Sequence, residues 1–325
     1  MFLAGDIGGT KTNLALYAYQ NDKLEVRKSA SYPSKDHATL AEIVRDFLAG
    51  TSGVKHACFG VAGPVKGGVV HVTNLPWIVD AAALQAELEF QKVSLLNDLE
   101  ANAYGINTLE PHELLSLNPQ GDPRQVGNRA LISAGTGLGE AGLLWDGIAH
   151  RPFASEGGHA SFSPNDTTGD ELLVYLRKEF GHVSWERVLS GMGMRNLYSF
   201  FRWRSGAAEP DWLSEQIQNG DLAAVVTHAG LAGSDPVCVE ALDCFTRNYG
   251  GEAGNLALKM FALGGLYIGG GIAPKMLPKM QSSLFLDAFN HKGRMSPLLQ
   301  SIPVYVILND KTALQGAAWY AAHAA

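Results

Sequence analysis

Two glycine-rich turns, each set between β-rich runs rather than ahead of a helix, most constrain what this chain can fold into. The first is Gly8-Gly9-Thr10, which joins the runs 2–5 and 13–19 and reads as a hairpin. The second is Gly135-Thr136-Gly137-Leu138-Gly139, between β-like runs at 130–133 and 141–145. Glycine lets backbone amides approach an anion without obstruction from a Cβ, and a threonine hydroxyl adds a donor. Asp6-Ile7-Gly8-Gly9-Thr10-Lys11-Thr12 nearly imitates a P-loop. Thr10 stands where glycine must precede the lysine, however, and a strand follows where a helix is needed. Gly137-Leu138-Gly139-Glu140-Ala141-Gly142 has GxGxxG spacing, yet the residues after it do not open a helix, so a dinucleotide fold has little support. A third turn, Gly269-Gly270-Gly271, follows an apolar run at 266–268. Any one of these is most simply a turn; three in one α/β chain are more easily explained by a nucleotide held between lobes. Asp6 is an odd neighbour for phosphates unless a magnesium ion intervenes. The strand–turn–strand device at 2–19 and 130–145 fits an old duplication and chance equally well.

The rest of the chain alternates. Residues 24–30 read as a third strand, and 37–49 places Leu40, Ile43, Val44 and Phe47 at helical spacing. Strand character returns at 55–61 and 69–72; 81–88 is helical, and the apolar run 93–96 ends at Asn97-Asp98. This alternation predicts an α/β layer with a buried, largely parallel sheet. A second cycle begins after the turn-rich stretch 118–128. It holds polar and helical segments, the longest at 236–262, where Asp235 and Pro236 make a capped start. Strands at 266–268 and 304–308 and a helix at 312–323 follow.

At 325 residues and roughly 150 residues per domain, two lobes are expected. A formal charge of -7 argues against a nucleic-acid partner, which needs clustered Lys and Arg. The apolar share of 46% and charged share of 18% are those of a globular protein. Cys58, Cys238 and Cys244 form no CxxC pair, and no HExxH spacing occurs, so no protein-held metal site is expected. The longest apolar windows fall far below the ~20 residues of a membrane span. With no secretory n-region, the chain reads as soluble and cytoplasmic, with no membrane partner.

Asp98, just past a buried run, suits a proton acceptor because a strand end fixes its direction. Capping the next helix is an equal alternative from the residues alone. For Glu186 and His159 the simpler readings are a solvated helix residue and an ordinary loop histidine.

With these motifs the chain resembles the bacterial glucokinase family of the actin–hexokinase–Hsp70 superfamily, over nearly its whole length. The resemblance rests on Gly5-Asp6-Ile7-Gly8-Gly9-Thr10, Asn97-Asp98-Leu99-Glu100-Ala101, Gly135-Thr136-Gly137-Leu138-Gly139 and Glu156-Gly157-Gly158-His159-Ala160. It rests also on the block from His182 to Gly191 and on Gly269-Gly270-Gly271-Ile272-Ala273-Pro274. It implies a two-lobed actin/hexokinase-like (ribonuclease H-like) α/β fold with an inter-lobe cleft. The small lobe would hold 1–108 plus 311–325 and the large lobe 109–310. The implied activity is ATP-dependent phosphorylation of D-glucose to glucose 6-phosphate, with Asp98 as general base. Asn97, Glu156, His159 and Glu186 would bind the sugar with Asp98. Gly5, Asp6, Ile7, Gly8, Gly9 and Thr10, with Thr136 and Gly137, match phosphate-binding turns, and Gly269, Gly270 and Gly271 resemble the adenosine motif. MgATP would be co-substrate, its Mg2+ carried by the nucleotide and reached by Asp6 through water; a homodimer is expected. Lys11-Thr12 depart toward the related repressor–kinase group, whose CxCG-type zinc motif is absent. The alternatives are a kinase for fructose, mannose or an amino sugar, and a sugar-sensing regulator without catalysis.

Overall fold

The computed structural model describes residues 1–20 and 23–323. The chain separates into two compact units. One comprises Met1–Glu113, Arg151–Ala154 and Asn309–Ala325, the other Leu114–His150 and Ser155–Leu308.

In the first unit, β1 (Phe2–Ile7), β2 (Lys11–Gln20) and β3 (Lys23–Pro33) form an antiparallel meander. After α1 (Leu40–Leu48), β4 (His56–Val61) pairs with β1 in parallel. The hairpin of β5 (Val69–His71) and β6 (Ile78–Asp80) and then α2 (Ala81–Glu87) lead to β7 (Lys92–Asn97), parallel to β4. Helix α3 (Asp98–Gly105) starts immediately. The sheet order is β3-β2-β1-β4-β7. It is thus mixed rather than largely parallel. The chain turns straight back at Gly8-Gly9-Thr10, and a tight turn joins only antiparallel neighbours, whereas a parallel pair needs a crossover. Alternation sends Leu3, Ile7, Phe59 and Val61 to the face covered by Ile43 and Phe47 of α1. Ala4, Ala15 and Cys58 go to the other face, with Ala101 of α3.

The second unit opens with β8 (Leu114–Ser116), β9 (Arg129–Ala134) and β10 (Leu138–Trp145); of β11 (His150–Ser155) only the end residues belong to it, Arg151–Ala154 being part of the first unit. Helices α4 (Thr167–Phe180), α5 (Gly191–Ser205), α6 (Asp211–Asn219), α7 (Leu222–Ala232) and α8 (Pro236–Met260) follow. Then come β12 (Leu266–Gly269), α9 (Leu277–Met280), α10 (Ser283–Asn290), α11 (Ser296–Ser301) and β13 (Val304–Ile307). Strand β10 pairs antiparallel with β9, β9 runs parallel to β12, and β12 runs parallel to β13. The order and sense repeat those of β2-β1-β4-β7, so the repetition extends from a hairpin to four strands.

Helix α8 carries the core of this unit, burying Leu242, Phe245, Tyr249, Ala253 and Leu256. It starts where its sequence dictates: Asp235 Oδ1 accepts from Cys238 N at 2.9 Å, and Pro236 occupies the first turn. The other Asp235 oxygen lies 2.7 Å from a nitrogen of Arg202. Replacing Asp235 with Ala should therefore cost about 2 kcal/mol, read as a lower urea midpoint at unchanged slope. An unmoved midpoint would show that the cap is dispensable.

The last helix, α12 (Thr312–His323), belongs to the first unit and covers the small-residue face of its sheet. It lies so close to α3 that a Cβ on Gly316 would stand 1.8 Å from the Ala101 carbonyl oxygen. One on Gly105 would stand 2.1 Å from that of Thr312, and one on Gly60 of β4 would stand 2.7 Å from Ala101 Cβ. Helix α3 is thus gripped on both sides by backbone. Among the described residues, no single helix is long and apolar enough to cross a membrane.

Candidate active site

In the first unit the singled-out residues gather at the carboxyl ends of three adjacent parallel strands, where open α/β sheets bind ligands. Register places Ile7, Val61 and Asn97 on one rung across β1, β4 and β7. Beyond that rung lie Gly8-Gly9-Thr10, Gly63 and Asp98.

The first turn is held from below. Gly8 N donates to the Lys11 carbonyl at 2.9 Å, while buried Ser34 donates from Oγ to the Gly8 carbonyl and from N to that of Thr10. Gly9 is obligatory because a Cβ would lie 2.8 Å from the Thr73 carbonyl oxygen. Gly5 is glycine for another reason: it lies within β1, and a Cβ would meet Phe59 at 2.5 Å. Asp6 is bound by Asn13 Nδ2 at 3.3 Å; burial pushes its carboxyl above the usual range, and Asn13 draws it part of the way back.

Asn97, not Asp98, caps α3. Its Oδ1 accepts from Leu99 N at 2.9 Å, and its Nδ2 donates to the Gly63 carbonyl at 3.0 Å. Asp98 is the first helical residue; its Oδ1 also accepts from Leu99 N at 2.9 Å, at the helix end whose free amides favour an anion. The capping alternative for Asp98 thus passes to its neighbour.

The second unit gathers the remaining residues. Gly135-Thr136-Gly137 leaves β9, and Gly269-Gly270-Gly271 leaves its parallel neighbour β12, with Gly269 opposite Ser133. Gly270 has φ +81°, and a Cβ there would stand 2.3 Å from the Ala134 carbonyl oxygen, so these two turns touch. Thr136 and Gly271 are exposed. Glu186 Oε2 accepts from Leu138 N at 3.0 Å, and a Cβ on Gly137 would approach that same oxygen to 2.5 Å. Glu156 and His159 are both exposed, their carboxylate and Nε2 3.9 Å apart, Glu156 immediately before the short turn Gly157–His159 and His159 at its end. A Cβ on Gly158 would stand 2.0 Å from the Leu138 carbonyl oxygen. Leu138 therefore meets Glu186 through its amide and the Gly158 turn through its carbonyl.

Sequence reasoning overlooked three contributors. Ser34 leaves no local signal, since its target, the first turn, is 26 positions away, whereas Asn13 stands directly opposite Asp6 in the β1–β2 hairpin and could have been found from the hairpin register. Glu140 did leave one: a lone acid inside the apolar strand β10, 1% exposed. Among the described residues, no group of three or more His, Cys, Asp or Glu could hold a metal ion.

Comparison with known proteins agrees with this arrangement. The glucokinase family model matches residues 3–324. The chain is 44% identical to the glucokinase of Nostoc punctiforme, over 99% of each chain. The crystal structure of a glucokinase from an Antarctic psychrotroph superposes with a TM-score of 0.87 at 33% identity, covering 99% of this chain and 98% of that one. A ROK family glucokinase from Streptomyces griseus, solved with glucose and AMPPNP, shares the fold with a TM-score of 0.66 at 19% identity, covering 99% of each chain. Glycine turns at parallel strand ends, an acid at the first position of α3 and this full-length kinship lead to one conclusion: the chain belongs to the glucokinase family.

Proposed function

We infer that this protein is a glucokinase, transferring the terminal phosphoryl group of ATP to the 6-hydroxyl of D-glucose. The observation that carries the reading is the full-length kinship to a glucokinase at 44% identity. ATP as donor is supported by the AMPPNP, an ATP analogue, held by the Streptomyces griseus relative. In the reaction the sugar O6 forms a bond to the γ-phosphorus as the bond to the bridging oxygen breaks, releasing ADP. The hydroxyl proton must leave as this happens, and we assign it to Asp98. Helix α3 starts at Asp98, so its direction is set by backbone rather than by a flexible loop. Asn97 is fixed through Leu99 N and the Gly63 carbonyl, which leaves one amide hydrogen to offer a sugar hydroxyl. We assign Glu156, His159 and Glu186 as further sugar ligands.

The turns Gly8-Gly9-Thr10, Gly135-Thr136-Gly137 and Gly269-Gly270-Gly271 are assigned to the nucleotide. Mg2+ would come with ATP and neutralise phosphate charge; a buried carboxylate such as Asp6 is a group that a nearby cation would favour in its charged form.

Glu156→Ala should raise KM for glucose by roughly 10- to 100-fold while kcat changes little, because a lost bond to a charged acceptor costs about 1.5–3 kcal/mol. Steady-state kinetics that put the loss in kcat would remove Glu156 from the sugar site. The test of the whole reading is ADP formation with MgATP against glucose, fructose, mannose, galactose and N-acetylmannosamine. Preference for glucose is expected. Turnover of another hexose alone would move the substrate, and sugar binding without any turnover would replace the kinase by a sensor.

A further inference from the structure

Glu140 is the acid that the activity described so far does not use. It projects from β10 into the interior of the second unit, where its side chain is almost fully buried. Its carboxyl lies directly against Gly157: a Cβ there would stand 2.0 Å from Oε2. The other oxygen, Oε1, is buried without a hydrogen-bond partner. Alongside it α8 presents Glu252, fully buried, which accepts from Lys259 Nζ at 3.0 Å and from Asn255 Nδ2 at 2.7 Å. Lys292 Nζ extends the network, donating to Asn255 Oδ1 at 2.7 Å and to the Gly251 carbonyl at 2.8 Å. The charged and titratable groups around Glu140 are therefore Tyr249, Glu252 and Lys259 on α8, Lys292 beyond them, and Glu156 and His159 on the turn it touches.

Two adjacent buried carboxyls do not both carry charge cheaply. Lys259 and Asn255 donate to both oxygens of Glu252, whereas Glu140 Oε1 has no donor, so of the pair it is Glu140 that keeps the proton. Burial, and after it the charge of Glu252, push the Glu140 carboxyl up to about 7, with Lys259 opposing. A neutral Glu140 can rest against the Gly157 backbone and turn its hydroxyl to Glu252. A charged one has an oxygen with no donor in a dry site, at a cost that favours pulling away. The contact matters because of what else β10 does. Leu138 touches Glu186 and Gly158 while Glu140 touches Gly157, so two residues of one strand bear every segment that carries an assigned sugar ligand of this unit.

We propose that the Glu140–Glu252 pair is a proton-linked positioning element for the sugar site, holding Gly157 and Gly158, and with them Glu156 and His159, in their binding arrangement while Glu140 is protonated. This rests on the glucokinase reading given above.

The experiment is glucose binding without nucleotide, by titration calorimetry between about pH 6 and pH 8.5, on the parent protein, Glu140→Gln and Glu252→Gln, with KM and kcat measured alongside. The parent should lose glucose affinity about fivefold across that range as Glu140 ionises, the change appearing in KM rather than kcat. Glutamine matches the neutral carboxyl in shape, so Glu140→Gln should hold the low-pH affinity throughout. His159 is unchanged in every variant, so whatever it contributes cancels in the comparison. Glu252→Gln removes the charge that helps Glu140 keep its proton, so its loss of affinity should begin at lower pH. That variant still decides the question if Glu140→Gln does not fold. A Glu140→Gln profile that follows the parent, a Glu252→Gln profile that stays in place, or an effect confined to kcat overturns the proposal. A parent that binds glucose with pH-independent affinity defeats the positioning role alone, whereas a parent that binds no glucose defeats the glucokinase reading itself.

Discussion

Asp98→Asn is expected to lower kcat by about 10²- to 10⁴-fold, the usual contribution of a positioned proton acceptor, while glucose affinity stays within a few-fold of the parent. The substitution keeps the shape of the side chain and its carbonyl oxygen, so the bond from Leu99 N at 2.9 Å can persist. What it removes is the capacity to take a proton from the sugar hydroxyl. Because Asn97 supplies the cap, α3 should not fray in the variant, and the melting temperature should hold. Those two readings together separate chemistry from structure. A variant that turns over at the parental rate would mean that the hydroxyl proton goes elsewhere; one that melts early would mean that Asp98 serves α3.

Gly316→Ala is expected to be the most damaging single methyl group in the first unit. The added Cβ would lie 1.8 Å from the Ala101 carbonyl oxygen and 2.5 Å from Gly105 N, and both are backbone atoms of α3 that cannot swing aside. Either α12 lifts from the sheet or α3 shifts along it. Overpacking of this kind costs about 3 kcal/mol or more, a fall in melting temperature of roughly 6–12 °C for a unit of this size. Activity should fall with it, since α3 begins at Asp98. Gly251→Ala in α8 is the matched control, with nothing within 4 Å of the new Cβ. Glycine inside a helix costs about 0.5–1 kcal/mol relative to alanine, so the control should melt slightly higher. Equal melting temperatures in the two variants would show that the α3–α12 contact has slack.

Much of this architecture was legible because its signals are local. The β1 hairpin turn, the helical spacing of Leu40, Ile43, Val44 and Phe47, and the Asp235-Pro236 start of α8 each depend on neighbours within a few residues, and all appear in the structure. The strands after the two hairpin turns also follow, and for that reason neither turn is a P-loop or a dinucleotide fingerprint. The sense of the sheets was less legible. Alternating helices and strands suggest parallel pairing, but β1 through β3 succeed one another with no helix between them, and adjacency of that kind makes an antiparallel meander. The helices α4 to α7 follow one another in a stretch whose periodicity does not separate them one by one. Contacts across long separations were invisible. Glu186 reads as a solvated residue until Leu138 N is found beside it, 48 positions away in sequence. The glycine at 157 looks like part of a ligand motif, whereas in the structure its missing side chain leaves room for Glu140.

The position of α12 also bears on how the molecule is made. A ribosome emits the strands and first helices of the Met1–Glu113 segment long before Leu314, Ala317 and Ala318, which complete the core on one face of their sheet. At about 5–20 residues per second, the interval is on the order of tens of seconds. Through it, Ala4, Ala15, Tyr17 and Cys58 lack the α12 part of their cover, while the later unit has nearly all of its own chain in hand. Vectorial synthesis and order of assembly therefore run in opposite directions: the segment translated first is the one whose packing is finished last, and its uncovered sheet is the surface that chaperones would meet on the nascent chain.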